Sequence, residues 1–217
     1  MALERIHADI LAVRVIPNVD SELAKEFNLK DYHRSLAVFT STVDDIGYTA
    51  LDEATKRADV EVVYARSFYA GAAHASGPFS GEMIGIIAGP SPDEVKSGME
   101  AVLQTAESDA YFEALDSEKT HAIYAHVVSR TGSYLSKEAN IQIGEPISYL
   151  IAPPLEAVFG MDAALKAADV RLVKFFGPPS ETNFGGGYLT GTQSACQAAA
   201  DAFREAILDI RNSPVKY

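Results

Sequence analysis

The fold is decided by the stretch Leu51-Asp-Glu-Ala-Thr-Lys-Arg-Ala-Asp-Val-Glu-Val-Val63, which returns later in the chain as Met161-Asp-Ala-Ala-Leu-Lys-Ala-Ala-Asp-Val-Arg-Leu-Val173. The two copies lie 110 positions apart and are identical at seven of thirteen positions. A second match in the same order pairs Ser21–Leu29 with Ser133–Ile141, 112 positions apart, with five of nine identical. A repeat at a nearly constant offset predicts an internal duplication. We therefore expect two similar domains, residues 1–112 and 113–217.

Each copy of the repeat has the pattern of a helix that leads into a strand. Apolar residues at Leu51, Ala54 and Ala58 follow the spacing of one helical face, and the second copy keeps this spacing. The segments Val60–Ala65 and Val170–Phe176 are rich in Val, Phe and Tyr, which favour strands.

The surrounding segments repeat the same order of elements in both halves. Two strand candidates precede the helix, and a turn-rich loop, a short strand and a final helix follow it. Ser91 and Thr192 are the expected N-caps of the final helices. The other predicted segments are the strands Leu11–Ile16, Ser35–Ser41, Met83–Ala88, Ala122–Val128, Ser148–Ala152 and Tyr188–Thr190, and the loops Ser67–Ser80 and Gly177–Gly187. The fold class is therefore α/β (α+β), with each domain ordered β-β-α-β-loop-β-α.

Charge and cysteine content exclude several classes of protein. With 18 Lys+Arg against 30 Asp+Glu, the net charge of −12 repels phosphate backbones, so we expect no nucleic-acid partner. This acidity indicates either a soluble surface or a site for a cationic ligand. A single cysteine, Cys196, allows no intramolecular disulfide. The charged N-terminal residues and the lack of a long apolar run predict a cytoplasmic protein that does not span a membrane.

The residue patterns of common catalytic and metal sites are missing. The five histidines have no HExxH or similar spacing, so we expect no metal site. Cys196 lies beside an alanine-rich helical stripe and is interpreted as a small buried residue. No serine occupies a nucleophile elbow, and Gly185–Gly187 fits neither phosphate-binding motif; we interpret it as a hinge or a loop with positive φ. These residue patterns give no support to acyl-transfer or metal-dependent chemistry.

The repeat carries a motif that resembles a known family. Lys56-Arg-Ala-Asp-Val and Lys166-Ala-Ala-Asp-Val resemble the signature of the bacterial microcompartment shell domain, and the order of elements is similar to its circularly permuted form. Further stretches resemble the ethanolamine-utilisation branch of that family: Thr55–His74, His126–Ser136, Ala152–Ala157 and Pro178–Asn183.

This resemblance implies a structural protein that is not an enzyme and has no catalytic cofactor, and it also implies an assembly in the microcompartment shell. Tandem domains on one chain would form a homotrimer that mimics a hexamer and tiles the shell beside neighbouring shell proteins. In the family the Lys motif lies at the outer edge of the tile, so Lys56 and Lys166 are candidate lattice-edge residues. From the residues alone, both would be interpreted as solvated helix charges.

The resemblance also implies two kinds of pore. The loops Ser67–Ser80 and Gly177–Gly187 would be lids of a gated central pore that admits bulky cofactors such as cobalamin. A narrow acidic pore would bind ethanolamine. Its expected lining residues are Asp44, Asp45, Tyr69, Glu82, Phe112, Thr182, Asn183 and Phe184.

Two alternatives remain at this level. Asp44 and Asp45 could simply form a turn between Thr40 and Tyr48. The chain as a whole could be a duplicated cytosolic ligand-sensing domain or an enzyme. A trimer that forms two-dimensional sheets would distinguish a shell protein from these.

Overall fold

The computed structural model describes residues 4–68 and 77–215 and confirms the predicted α/β class. The predicted order of elements repeats in both halves, but each half also has a short helix between its first two predicted strands that the sequence did not predict. The helices and strands, in chain order, are β1 Glu4–Ile6, β2 Ile10–Ile16, α1 Ser21–Glu26, β3 Ser35–Ser41, α2 Asp44–Arg57, β4 Glu61–Ser67, β5 Met83–Gly89, α3 Pro92–Gln104, β6 Phe112–Ala114, β7 Ala122–Val128, α4 Ser133–Ala139, β8 Ile147–Ala152, α5 Pro154–Ala167, β9 Val170–Phe176, β10 Gly185–Gly191 and α6 Gln193–Asn212. A π-helical turn, Thr105–Asp109, follows α3.

The described chain forms two compact units. The first unit contains residues 7–110 and 132–135, and its antiparallel sheet has the order β2-β3-β5-β4. The second unit contains residues 4–6, 111–131 and 136–215, and its antiparallel sheet has the order β1-β6-β7-β8-β10-β9. The extra strands β1 and β6 are too short to give a periodic signal, and the sequence did not predict them.

Each unit has its own apolar core on the helix-covered face of its sheet. In the first unit α2 and α3 contribute Leu51, Val95 and Val102, which pack with strand residues such as Phe39 and Ile87. In the second unit α5 and α6 contribute Met161, Phe203 and Ile207, which pack with Leu150 and Leu189. The predicted N-caps are confirmed, because Ser91 accepts the Glu94 N–H at 3.2 Å and Thr192 accepts the Ala195 N–H at 3.1 Å.

The glycine run corrects one prediction. Gly185–Gly187 opens strand β10 and is not a loop, although Gly186 does have a φ of +146°. A Cβ atom at Gly186 would lie 1.9 Å from the carbonyl oxygen of Leu150 on the neighbouring strand. Glycine is therefore required for close backbone approach within the sheet.

The repeat match at Ser21 and Ser133 reflects a shared helix ending. After α1, Asn28 has a φ of +51° and donates its N–H to Lys25, while Leu29 donates to Ala24. After α4, Asn140 and Ile141 make the equivalent bonds, and Asn140 has a φ of +52°. Both are Schellman motifs with Asn in the left-handed conformation, which explains why Asn and a following apolar residue appear in both copies.

A buried carboxylate secures residues 132–135 to α2 within the first unit. Asp52 is fully buried and accepts the backbone N–H groups of Gly132 at 2.7 Å and Leu135 at 2.8 Å. Burial raises the pKa of Asp52, while these two bonds and Lys56, 3.5 Å away, oppose that shift. The first turn of α4 has no side-chain cap on Gly132, so Asp52 satisfies its amides from another helix.

We expect Asp52→Ala to destabilise the protein by about 3 kcal/mol, because it leaves two buried amides and Lys56 without their carboxylate. Urea denaturation followed by circular dichroism would measure this loss. The matched control is Asp93→Ala, which removes an exposed carboxylate from a surface pair and should cost less than about 1 kcal/mol. Equal effects of the two substitutions would contradict the capping role of Asp52.

Candidate functional site

Two carboxylates of the predicted acidic site occupy the first turn of α2. Asp44 and Asp45 begin the helix, so the alternative that they form a simple turn is wrong. Both are buried, at 6% and 7% exposure, and the Asp45 N–H donates to Asp44 Oδ1 at 2.8 Å. The positive end of the helix dipole stabilises negative charge at these positions.

Glu82 is the third carboxylate of this region, and it directly precedes β5. Its N–H donates to the carbonyl oxygen of Ser41 at 2.8 Å, and its own carbonyl accepts the N–H of Phe68 at 2.9 Å. Partial burial and, second, the charge of Asp44 raise the pKa of Glu82 to about 7. The structure therefore brings Glu82 within electrostatic reach of Asp44.

The backbone turn before Glu82 depends on Gly81. Gly81 has a φ of +63°, and a Cβ atom there would lie 2.1 Å from the carbonyl oxygen of Ser41. No other residue fits this position without moving β3. Gly81 thus fixes the backbone from which Glu82 projects.

Tyr48 is a polar neighbour that the sequence analysis missed. It lies one helical turn after Asp44 and Asp45, and its hydroxyl hydrogen-bonds with the hydroxyl of Ser67 at the end of β4. Burial raises the pKa of Tyr48 to about 12, with further contributions from the charges of Asp44 and Asp45. The i+3 and i+4 spacing on α2 was the signal that could have identified it.

The first predicted lid loop is described only at its ends. Residues 69–76, which include the predicted ligand residue Tyr69, lie outside the described residues. At the near end, Ser67 and Phe68 bond to Tyr48 and Glu82. At the far end, the carbonyl oxygen of Phe79 accepts a hydrogen bond from the Thr40 hydroxyl. The near end of the loop is thus tied to α2 and Glu82, and the far end to β3.

The remaining predicted ligand residues lie in the second unit. Phe112 is 7% exposed and contacts Phe184 edge to face, with ring centroids 6.2 Å apart. Thr182 and Asn183 belong to the turn before β10, in which Asn183 has a φ of +68°. Because β10 begins at Gly185, the second lid candidate is shorter than predicted and ends at Phe184.

The two candidate edge lysines have different surroundings. Lys56 is mostly buried, at 21% side-chain exposure, and pairs with Asp52 and Glu53. Lys166 is 76% exposed and pairs with Asp162 at 2.6 Å. A substitution at Lys56 would therefore disturb the buried Asp52, whereas Lys166 can be changed with little effect on the fold.

Other candidate groups contribute no reactive centre in the described part of the chain. Cys196 is fully buried, and burial raises the pKa of its thiol, so the prediction of a small buried residue is confirmed. Among residues 4–68 and 77–215, no cluster of His, Cys, Asp and Glu has the geometry of a metal site. No helix within these ranges is long and apolar enough to cross a membrane.

Comparison with known proteins identifies the family. The BMC domain model matches residues 35–119. The chain is 53% identical to the bacterial microcompartment shell protein EutL of Clostridium perfringens, over 100% of both chains. It is 51% identical to the protein of the same name from Salmonella typhimurium, over 99% of this chain and 98% of the relative.

A solved structure agrees over the full length. The crystal structure of ethanolamine utilization protein EutL from Leptotrichia buccalis superimposes with a TM-score of 0.96 at 57% identity and covers 100% of both chains. The predicted resemblance and tandem shell-domain fold are confirmed. Because the relatives are named as shell proteins and not as enzymes, the predicted lack of catalytic function is also supported. The chain belongs to the EutL family of bacterial microcompartment shell proteins.

Proposed function

We propose that this shell protein forms a homotrimer that tiles the shell of an ethanolamine-utilisation microcompartment beside neighbouring shell proteins. The internal duplication supports this assembly, because three duplicated chains provide six similar domains around one axis. The alternative of a ligand-sensing domain or an enzyme has no comparable support, since the relatives are named as shell proteins.

The acidic residues suit a small cation and support the proposed capture of ethanolamine. Its ammonium group offers three hydrogen-bond donors, which Asp44, Asp45 and Glu82 can accept. The observation that carries this proposal is Glu82, a partly buried carboxyl beside Asp44 with a pKa raised to about 7. A cationic ligand would stabilise its ionised form and offset the repulsion from Asp44.

The other residues of the proposed small pore are assigned by family resemblance. Aromatic side chains can receive an ammonium group on their faces, and a threonine hydroxyl can pair with the ligand hydroxyl. The residues proposed for these roles are Tyr69, Phe112, Thr182, Asn183 and Phe184. We further propose that the loops 67–80 and 177–184 gate a larger pore for bulky cofactors such as cobalamin.

We expect ethanolamine to bind about tenfold more tightly at pH 8 than at pH 6. Glu82 is mostly protonated at pH 6 because its pKa is about 7, and it gains the charge that attracts the ammonium group as the pH rises. Isothermal titration calorimetry at both pH values would measure the difference. Asp45→Asn with Glu82→Gln should weaken binding at pH 8 and remove most of the pH dependence.

The control for this experiment is Asp93→Asn, which removes an exposed carboxylate on α3. It should bind ethanolamine as the parent does. Parent-like binding by the double variant at pH 8 would rule out the acidic site.

Stability provides a separate check on Glu82. Its raised pKa lowers stability as the pH rises from about 4.5 to 7, so Glu82→Gln should stabilise the protein at pH 8 and have little effect near pH 4.5.

We expect Lys166→Glu to abolish two-dimensional sheets while leaving the trimer intact. Lys166 is exposed and pairs with the surface residue Asp162, so reversal of its charge should affect lateral contacts and not the fold. Electron microscopy of assembled sheets and sedimentation of the trimer would measure the two properties. Lys96→Glu, at another exposed lysine, is the matched control. Normal sheets from Lys166→Glu would exclude Lys166 from the lattice edge.

A further inference from the structure

The turns that lead into β3 and β8 are each closed by one side chain. In the first unit the turn is formed by residues 30–33, and His33 Nδ1 accepts the backbone N–H of Lys30 at 3.3 Å. In the second unit it is formed by residues 142–145, and Glu145 Oε1 accepts the backbone N–H of Gln142 at 3.1 Å. The internal repeat therefore keeps a side-chain acceptor at this position but changes its chemistry.

The charged partner of that side chain also differs between the units. In the first unit His33 Nε2 lies 4.0 Å from Glu61 Oε1 on β4. The equivalent position on β9 is Arg171, whose guanidinium nitrogen lies 3.7 Å from Glu145 Oε2. Both β4 and β9 are edge strands of their sheets. Of the two pairs, only His33 with Glu61 contains a group whose ordinary pKa lies close to neutral pH.

The environment of His33 requires a neutral imidazole. A ring nitrogen accepts a hydrogen bond only when it carries no proton, so the bond from Lys30 leaves the ring proton on Nε2. The His33 side chain is only 1% exposed, and within the described chain Nε2 has no hydrogen-bond partner. Burial lowers the pKa of His33; the charges of Glu61 and Asp59 oppose this shift, and that of Lys30 adds to it.

Glu61 already accepts other hydrogen bonds from the same turn. The Lys30 ammonium and the Tyr32 hydroxyl both donate to Glu61 Oε1. The Tyr32 ring also packs edge-on against the His33 ring, with centroids 4.4 Å apart. Burial would raise the pKa of Glu61, but the bonds from Lys30 and Tyr32 lower it overall, so this group stays ionised while His33 titrates. Glu61 thus holds the turn on β4, and neutral His33 closes it from within.

We propose that residues 30–33 form an acid-sensitive clasp on β4, which is closed while His33 is neutral and opens when His33 takes up a proton. Protonation would set an N–H at Nδ1 against the N–H of Lys30 and would place a positive charge in a buried position. The turn at 142–145 lacks this response, because a carboxyl group keeps an acceptor oxygen whether or not it is protonated.

The direction of the pH effect follows from the lowered pKa of His33. Folding favours the neutral form, so the stability contributed by this group is fully present above pH 6.5, the ordinary value. This stability is lost as the pH falls below 6.5 toward the lower pKa of the folded chain. Acid therefore loosens the turn of the first unit and leaves the turn of the second unit closed.

The clasp lies beside the family motif of the first unit. Glu61 directly follows Asp59 and Val60, which end the motif that begins at Lys56. Opening of the clasp would weaken the hold of Lys30 on Glu61 and change the surface next to this motif. A fall in pH would then affect one copy of the motif and not the other. This inference is independent of the proposed trimer, since every group in the clasp belongs to the first unit.

Hydrogen exchange across a pH series tests the clasp. Protection of the Lys30 amide, relative to its intrinsic exchange rate at each pH, should fall about fivefold or more between pH 7.5 and pH 4.5, because its hydrogen bond is lost. The Gln142 amide of the same molecule is the matched internal control and should keep its protection. His33→Asn should abolish the response, because its amide oxygen can accept the Lys30 N–H throughout this range.

Unchanged protection of Lys30 down to pH 4.5, or an equal loss at Gln142, would overturn the proposal. A second measurement covers the case in which His33→Asn fails to fold. In the parent chain with isotope-labelled histidine, NMR should show the Nε2–H tautomer of His33 at pH 7.5 and a titration below the ordinary value of 6.5. Titration above 6.5 would mean that protonation strengthens the contact with Glu61, and the proposal would be wrong.

Discussion

The buried carboxylate of Asp52 is the interaction on which the first unit most depends. Asp52 lies on α2. It accepts hydrogen bonds from the backbone N–H groups of Gly132 and Leu135 at the start of α4, which are 80 and 83 residues later in the chain. A buried carboxylate is stabilised only when its oxygens are hydrogen-bonded, and the amides of a helix start need acceptors. Each group thus removes the cost of burying the other. The contact also explains why Gly132 and Lys56 occur where they do, since one allows close approach and the other partly balances the charge.

The same helix carries both this contact and two carboxylates of the proposed acidic site. Asp44 and Asp45 begin α2, Tyr48 follows one turn later, and Asp52 comes one turn after that. The position of the carboxylates relative to Glu82 is therefore set by a helix that is fixed along its length by its core face and by Asp52. In this arrangement burial and, second, repulsion from Asp44 raise the pKa of Glu82 to about 7. Shifted pKa values of this kind are typical of functional sites.

Differences between the repeats are as informative as their identities. The shared Asn28 and Asn140 preserve a helix ending, and the shared Lys and Asp residues preserve the family motif. By contrast, the outer face of α2 is polar and covered, while that of α5 is apolar and exposed. The carboxylates of the proposed acidic site begin α2, whereas the equivalent part of α5 carries the exposed apolar residue Leu155.

The sequence by itself determined the duplication, the α/β class, most helices and strands, and the two N-caps, because repeats, apolar periodicity and capping residues are local signals. The resemblance to the family also gave Asp44, Asp45 and Glu82 as candidates. Only the tertiary structure decided that Asp44 and Asp45 begin a helix, that Gly185–Gly187 open a strand, and that Tyr48 joins the acidic residues. The burial of Asp52 and the different environments of Lys56 and Lys166 were equally outside the reach of the sequence. The physical reason is that burial, pKa and hydrogen-bond partners depend on groups brought together from distant positions, whereas local patterns report only the preferences of neighbouring residues.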